Sequence, residues 1–401
     1  SYDVIKDFTP IAGLMQGVGF VMAIHPSLPV NTVQEFIAYE KKSSKPIAYS
    51  TPGVGNTIHI ASELFNQRAG TQLLHIPYKG SAPSLNALVA GEVQVAIMPP
   101  AIVMPFIKSG KLKAIAFTGS HAGGMALFQL ANQREVPIPV FAEMGSVNPI
   151  FCFSQKLEKE NDALAKAFVN SLTLGAGQFC TNPGLIFVPE KQSQNFEQAI
   201  ATELHAIAAA PMLHEGIAKA YYDSIQALEA CNELRWVKVA DPRHLIHGSP
   251  ALAEIKAADW LKDQLFHQEV FGAFALLVVY RDQEELMQIA EQLQGQLTIT
   301  VWADVEELAS QLPLVNLLEE RCGRLLFKGV PTGVEVGHAM QHGGPFPSTT
   351  ASQTTSVGSY AIKRFARPIA FQDMPQALLP EALMDANPLG IWRTVNGNLT
   401  K

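Results

Sequence analysis

Two short strings contain the residues best suited to covalent chemistry: AEMGSVNP, with Glu143, and GQFCTNPG, with Cys180. A cysteine thiolate is a strong nucleophile, and a partly buried glutamate can act as a general base. Such a pair could attack a carbonyl carbon through sulfur and then hydrolyse the resulting thioester. The two residues stand 37 positions apart (180 − 143), so only the tertiary fold can bring them together.

Residue types alone leave a plainer interpretation open, because a single cysteine near glycines is most often a small buried hydrophobe. Two histidine pairs have spacings compatible with metal binding, His244 with His247 and His338 with His342. Neither pair has a cysteine partner nearby in sequence. We therefore interpret them as loop or core histidines and predict no metal site.

Composition and charge limit the classes of partner. The chain has 401 residues, a net charge of -7 and a pI near 5.9, which argues against nucleic acid or an anionic membrane surface. Its most apolar run, residues 93–107, contains three prolines and is too short to span a bilayer. The opening residues lack the features of a signal peptide. The sequence as written predicts a cytoplasmic protein, or a periplasmic one if a preceding segment supplied a signal.

Apolar strands alternate with amphipathic helices through the first part of the chain, which predicts an α/β unit with a largely parallel sheet. The predicted strands are 20–26, 46–51, 72–78 and 92–99, and the predicted helices are 30–42, 59–70 and 81–91. Further strands are predicted at 111–120 and 138–145. Long helices are expected to dominate residues 161–230, and strand–helix alternation resumes after residue 272. Residues from 343 onward are expected to form an ordered irregular loop.

Five strings occur in the order found in aldehyde dehydrogenases: FTGS (117–120), AEMGSVNP (142–149), GQFCTNPG (177–184), HQEVFGA (267–273) and GVPTGVEVGHAMQHGGPFPSTT (329–350). The chain from about residue 116 to 401 therefore resembles that family, and most of all its α-ketoglutarate semialdehyde (2,5-dioxovalerate) dehydrogenase branch. The resemblance implies a catalytic domain that oxidises an aldehyde to an acid with NAD or NADP.

The same resemblance assigns roles to particular residues. Cys180 would be the nucleophile, with its backbone N–H forming half of an oxyanion hole, and Glu143 would be the general base. Four residues would contact the cofactor: Gly119, Ser120, Glu269 and Phe271. The first two lie in a turn that can approach phosphate, and the last two would meet the nicotinamide ribose and ring. Lys328 departs from the family, which often has asparagine at that position.

The first part of the chain resembles a different family. Its strings KDFTPIAGL (6–14), YSTPGVGNTIHIASELFNQRAG (49–70) and HIPYKGSAPSLNALVAGEVQV (75–95) are similar to those of the Bug (TctC-type) solute-binding proteins of tripartite tricarboxylate transporters. This resemblance covers about residues 2–116 and implies a partial periplasmic-binding-protein-like lobe. Six residues would face a ligand carboxylate: Ser50, Thr51, Gly53, Gly55, Thr57 and Ser81.

The two resemblances predict three regions. Residues 1–115 would form the partial solute-binding lobe, 116–145 a remnant of a dinucleotide-binding domain, and 146–401 the catalytic domain with its C-terminal tail. Both families are incomplete here, since the strands that aldehyde dehydrogenases place before FTGS are replaced. We therefore expect impaired turnover, and two alternatives stay open: a carboxylate-binding protein and an inactive chimera. The expected partner is a small-molecule aldehyde or carboxylate, and a homo-oligomer is compatible with the sequence.

Overall fold

The computed structural model describes residues 21–25, 27–30, 33–98, 115–242, 245–333, 337–365 and 368–401. The chain divides into two compact units, Ser1–Arg364 and Phe365–Lys401. Among the helices in these ranges, none is both long and apolar enough to cross a bilayer.

The first sheet of the larger unit has four strands: β1 (Val21–Ile24), β2 (Ala48–Thr51), β3 (Leu74–Pro77) and β4 (Val95–Met98). Their order is β1-β4-β2-β3; β2 is parallel to β3 and β4, and β1 is antiparallel to β4. The accompanying helices are α1 (Val33–Lys42), α2 (Thr57–Ala69) and α3 (Ser81–Ala90). The predicted α/β alternation is confirmed, although the edge strand β1 is not parallel. Residues 31–32, within the predicted helix 30–42, and residues 99–114, where the predicted strand 111–120 begins, lie outside the described residues.

A parallel pair of strands comes next in the chain: β5 (Ile115–Thr118), helix α4 (His121–Asn132) and β6 (Val140–Glu143). Apolar side chains of this pair share one buried cluster with the first sheet; the cluster includes Ala23, Leu88, Met98, Ile115, Leu127 and Val140. The hydrophobic core is therefore continuous across residue 115.

The largest sheet has seven strands: β7 (Ile150–Cys152), β8 (Leu185–Pro189), β10 (Arg235–Lys238), β12 (Ala251–Lys256), β13 (Phe274–Tyr280), β14 (Gln296–Trp302) and β15 (Cys322–Phe327). Their order is β10-β12-β13-β8-β7-β14-β15, and every pair is parallel except β10 with β12. A small antiparallel pair, β9 (Ala210–Pro211) with β11 (His247–Gly248), lies outside this sheet.

Helices cover this sheet: α5 (Ser154–Thr173), α6 (Glu190–His205), α7 (Glu215–Glu229), α8 (Ala257–Trp260), α9 (Gln283–Gln292), α10 (Val305–Ala309) and α11 (Leu312–Arg321). Helices dominate residues 161–230 as predicted, although this stretch also contains β8, a strand that the sequence pattern does not indicate. That strand is buried along its whole length and lies at the centre of the sheet. Fully buried strands of parallel sheets lack the polar alternation that marks an exposed strand.

Residues 343–358 are irregular, as the sequence predicts, and a 3-10 turn follows at Ser359–Phe365. From residue 368 onward, the smaller unit contains two short 3-10 turns, Gln376–Leu378 and Glu381–Leu383. It ends in a hairpin of β16 (Arg393–Val395) and β17 (Asn398–Thr400).

Candidate active site

Glu143 is the last residue of β6, and both edges of that strand are bonded. On one side Thr118 of β5 is its register partner. On the other side the backbone N–H of Met144 donates to Ser348 O at 2.7 Å, and that of Thr350 donates to Ala142 O at 3.0 Å. These bonds fix the glutamate at the carboxyl end of the strand, where it is only 3% exposed.

Cys180 lies in the loop that leads into β8, and hydrogen bonds from the side chain of Asn148 fix that loop. The Nδ2 group of Asn148 donates to the carbonyl oxygens of Cys180, at 3.0 Å, and Asn182, at 2.9 Å. Its Oδ1 accepts from Ser146 Oγ at 2.9 Å and from Thr298 Oγ1 at 3.0 Å. The loop is thereby tied to the segment that follows Glu143, while the cysteine itself stays half-buried.

His342 completes the site from the irregular loop after β15. Its Nε2 lies 3.2 Å from Cys180 Sγ and 3.2 Å from Glu143 Oε1. The backbone N–H of His342 donates to Thr355 Oγ1 at 2.8 Å, which orients the residue, and its side chain is buried. A thiol, an imidazole and a carboxylate from three distant parts of the chain thus meet at one point.

The site favours the charged forms of Glu143 and His342. Burial raises the pKa of Glu143, but its hydrogen bond and charge interaction with His342, together with Ser356 and the nearby Arg364, hold that pKa below its usual range. Burial lowers the pKa of His342, yet the hydrogen bonds to Cys180 and Glu143 outweigh it and raise that pKa to about 9. At neutral pH the histidine is therefore an imidazolium between two potential anions.

The structure brings Cys180 and Glu143 together, as their chemistry requires. Sequence reasoning missed His342, which was interpreted as a loop or core histidine. Its spacing partner His338 is exposed on the same loop and does not contribute to the site, and His244 lies outside the described residues. The available signal was the place of His342 within the string HAMQHGGPFPSTT, which carries part of the family resemblance.

The residues expected to contact the cofactor lie near this site. Gly119 donates its N–H to Glu143 O at 3.1 Å, and Ser120 caps α4 by accepting from Gly123 N at 3.3 Å. The residue Glu269 is exposed overall, but its carboxyl end lies against the backbone of Gly145 and hydrogen-bonds Ser146. Burial of that carboxyl raises its pKa to about 7.

A small pocket between the loop of Gly177 and Asn182 and the segment of Glu269 contains two of the residues expected to contact the cofactor. Glu269, Phe271 and Asn182 line it, and the ring of Phe271 is partly exposed. Asn182 Oδ1 is buried and has no hydrogen-bond partner within the described ranges. Acceptors from Asn182 and Glu269 with an exposed aromatic ring fit a ligand that carries an amide, hydroxyl groups and a flat ring. In chemical type, these residues suit the nicotinamide end of NAD or NADP.

The candidate ligand residues of the N-terminal lobe gather at the carboxyl ends of β2 and β3. Gly53 and Gly55 lie in the loop before α2, and Thr57 and Ser81 are the first residues of α2 and α3. Two hydroxyls of the set are engaged internally: Ser50 Oγ donates to Ser84 O at 2.9 Å, and Thr51 Oγ1 lies 2.6 Å from His75 Nε2. The carboxylate-binding role of this set stays a prediction.

Gly177 offers a direct test of how tightly the nucleophile loop is packed. It has a φ of +72°, and a Cβ there would meet the backbone of Gly272 and Ala273. We expect Gly177→Ala to lower the free energy of unfolding by about 2 kcal/mol or more, because rigid backbone cannot move aside. Urea denaturation of the variant and the unsubstituted chain measures this loss.

Gly184→Ala is the matched control, because it lies at the other end of the same string. A Cβ at Gly184 would meet Val147 O at 3.4 Å, an ordinary van der Waals contact, and its φ is not in the left-handed region. Its expected cost is below about 1 kcal/mol. Equal losses in the two variants would contradict the packing described here.

The fold and the site together define a class: α/β proteins with a largely parallel sheet and a half-buried cysteine close to a buried glutamate. Comparisons with known proteins place the chain within this class. "Alpha-ketoglutaric semialdehyde dehydrogenase 2" of Azospirillum brasilense is 40% identical over 371 residues, which cover 88% of this chain and 69% of that protein. The crystal structure of gamma-glutamyl-gamma-aminobutyraldehyde dehydrogenase from Burkholderia cenocepacia shares the fold with a TM-score of 0.59 at 18% identity, over 80% of this chain and 66% of that one.

A second similarity concerns the N-terminal half. The family described as "Tripartite tricarboxylate transporter family receptor" matches residues 1–212. A "UPF0065 protein in gbd 5'region" of Cupriavidus necator is 30% identical over 168 residues, which cover 42% of this chain and 51% of that protein. The chain therefore belongs to the aldehyde dehydrogenase family and, through its N-terminal half, to the tripartite tricarboxylate transporter receptor family. It spans about two thirds of the dehydrogenases that it matches.

Proposed function

We propose that this chain oxidises a carboxylate-bearing aldehyde, α-ketoglutarate semialdehyde or a close analogue, to the acid, with NAD or NADP as acceptor. The observation that carries the proposal is the meeting of Cys180, His342 and Glu143 within 4.8 Å of one another. The name of the 40% identical Azospirillum protein supports the choice of aldehyde.

The first step is addition of sulfur to the aldehyde carbon. His342 as an imidazolium stabilises the thiolate of Cys180, which forms a C–S bond and moves the carbonyl electron pair onto oxygen. The backbone N–H of Cys180 has no hydrogen-bond partner among the residues that the structure describes, so it can donate to that oxygen. Bound nicotinamide would accept the hydride of the aldehyde carbon.

The second step is hydrolysis of the thioester on Cys180. Glu143 is held ionised, so it can take a proton from a water molecule that attacks the acyl carbon. The C–S bond then breaks, and the electron pair returns to sulfur, where the imidazolium of His342 stabilises the leaving thiolate. The same histidine therefore serves the thiolate at the beginning and at the end of the cycle.

A single-turnover experiment tests this function. The protein is mixed with α-ketoglutarate semialdehyde and NAD or NADP, and reduced cofactor and protein mass are followed together. We expect a burst of at most one reduced cofactor per chain, with a matching acyl adduct on the Cys180 peptide, and neither signal in Cys180→Ala. A burst that persists in Cys180→Ala would contradict the assignment.

The family match to residues 1–212 supports a second candidate function, binding of a small carboxylate by the N-terminal lobe. The loops before α2 and α3 lie at the same edge of the sheet, because β2 and β3 are parallel neighbours. Ligands of α/β proteins commonly bind at the carboxyl ends of the strands. Calorimetric titration with citrate, in the absence of aldehyde and cofactor, distinguishes this function from oxidation.

A further inference from the structure

We propose that Cys180, His342 and Glu143 bind a zinc ion, and that zinc bound there blocks the nucleophile. The sequence predicts no metal site, since His338 and His342 have no cysteine nearby in sequence. The fold supplies the other ligands from elsewhere in the chain. Metal binding itself does not rest on the proposed oxidation; only the consequence for activity does.

The donor set suits zinc. Thiolate sulfur, imidazole nitrogen and carboxylate oxygen are the three ligand types that zinc takes in proteins. Open zinc sites commonly combine three protein ligands with one water, and this cluster offers three. Harder cations such as Mg²⁺ prefer oxygen ligands alone, so they are poorly matched to a site centred on sulfur and nitrogen.

The distances are close to those that a tetrahedral zinc would impose. With zinc–sulfur and zinc–nitrogen bonds of about 2.3 and 2.05 Å, the sulfur and nitrogen lie roughly 3.6 Å apart, and nitrogen and oxygen roughly 3.3 Å. In the structure Nε2 is 3.2 Å from Cys180 Sγ and 3.2 Å from Glu143 Oε1. All three donor atoms lie within 4.8 Å of one another. Tetrahedral zinc would hold sulfur and oxygen roughly 3.6 Å apart, so these two atoms need to approach by about 1.2 Å at most.

The expected affinity for zinc depends on the burial of the three ligands and on the hydrogen bonds that orient them. His342 and Glu143 are buried, whereas Cys180 is half-buried, so the site opens on the side of the sulfur. Ser356 Oγ donates to Glu143 Oε2 and would orient that ligand. His342 Nδ1, however, has no hydrogen-bond partner in the described part of the chain. Because metal-bound histidines normally donate through the second nitrogen, we expect affinity about 10–100-fold below that of a fully supported site.

Binding has a simple chemical balance. Zinc accepts the lone pair of His342 Nε2 and one electron pair from the Cys180 thiolate. The proton on Nε2, which lies between these two atoms in the metal-free site, is released to solvent. No bond to carbon forms and nothing is oxidised. The nucleophilic electron pair of Cys180 and one carboxylate oxygen of Glu143 are then occupied, and an aldehyde cannot add to sulfur until the metal leaves.

Metal binding is measured directly on the full chain without aldehyde or nicotinamide. Equilibrium dialysis against zinc chloride should give one zinc per chain, and cobalt(II) should give a thiolate-to-metal charge-transfer band. Cys180→Ala should abolish the band, and both Cys180→Ala and His342→Ala should weaken zinc binding by at least about 10²-fold. Bound zinc should also slow alkylation of Cys180 by iodoacetamide, and EDTA should restore it.

Two control variants separate this site from other thiols and imidazoles. Cys231→Ala and His338→Ala remove residues outside the cluster and should leave zinc affinity and the cobalt band unchanged. Circular dichroism establishes that each variant is folded, and Glu143→Gln provides a third ligand variant if either substitution prevents folding. Absence of a stoichiometric zinc, or zinc affinity unchanged in folded Cys180→Ala, would overturn the proposal. Failure of the oxidation assay alone leaves these metal measurements intact, so the two proposals fail separately.

Discussion

Glu143→Gln is expected to trap an acyl group on Cys180, slowing its release by about 10²–10⁴-fold. The reason is that Gln cannot take a proton from the attacking water, whereas its size and its contact with Ser356 are preserved. Acylation by an activated ester should change by less than about tenfold, because sulfur and His342 remain. Time-resolved intact-protein mass spectrometry measures both steps without a nicotinamide cofactor.

Glu135→Gln is the matched control, since Glu135 is exposed in the segment before β6 and does not touch the site. Its acylation and release should equal those of the unsubstituted chain. If Glu143→Gln released the acyl group within tenfold of the unsubstituted rate, Glu143 would not be the base. Loss of acylation as well as release would instead indicate that the site had collapsed.

His342→Gln is expected to slow alkylation of Cys180 by iodoacetamide at least about tenfold at neutral pH. The imidazolium lies 3.2 Å from Sγ, where it contacts the sulfur that attacks the alkylating agent. The pKa of His342 is raised to about 9, so its charge is present below that pH and lost above it. The rates of variant and unsubstituted chain should therefore converge as the pH rises through that value.

Peptide mapping after brief treatment measures Cys180 separately from the other thiols, and burial raises the pKa of each of those. For Cys152 it lies well above the usual range, for Cys322 it is about 12, and Cys231 is shifted in the same direction. Cys180 should accordingly be labelled first. His338→Gln, in the exposed part of the same loop, serves as control and should not alter the rate. Equal labelling in His342→Gln and the unsubstituted chain would remove the histidine from the mechanism.

The nucleophile and the base could be predicted from the sequence, because their surrounding strings are short, ordered and distinctive. His342 could not be, since 162 positions separate it from Cys180 and 199 from Glu143. Its chemistry depends on a loop without regular structure, and no local pattern says which side chain of such a loop turns inward. The decisive contact is therefore a product of tertiary folding alone.

The strand–helix alternation of the first lobe could be predicted, because short strands and capped helices have signals in the local sequence. Asn56 accepts from the backbone N–H of Ile58 and His59, and Gly70 ends the same helix with a φ of +64°. In contrast, β8 escaped prediction although its run LIFVP is apolar throughout. A short buried strand between long helices has the same hydrophobic pattern as a buried helical turn.

The hydrogen bonds of Asn148 have a consequence for the motions of the site. They join the loop of Cys180 to the segment after Glu143, and Gln296 Oε1 adds a bond from the backbone N–H of Val147 at 2.9 Å. Neither loop can open without breaking buried bonds that also hold the other, so the two belong to one foldon. A conformation in which Glu143 has moved away while Cys180 keeps its place should therefore be rarely populated. The Cys180 thiol is half-buried, so oxidants in solvent reach it chiefly from its exposed side. How long the thiol stays reduced in an oxidising medium therefore depends on the stability of the foldon that contains both loops.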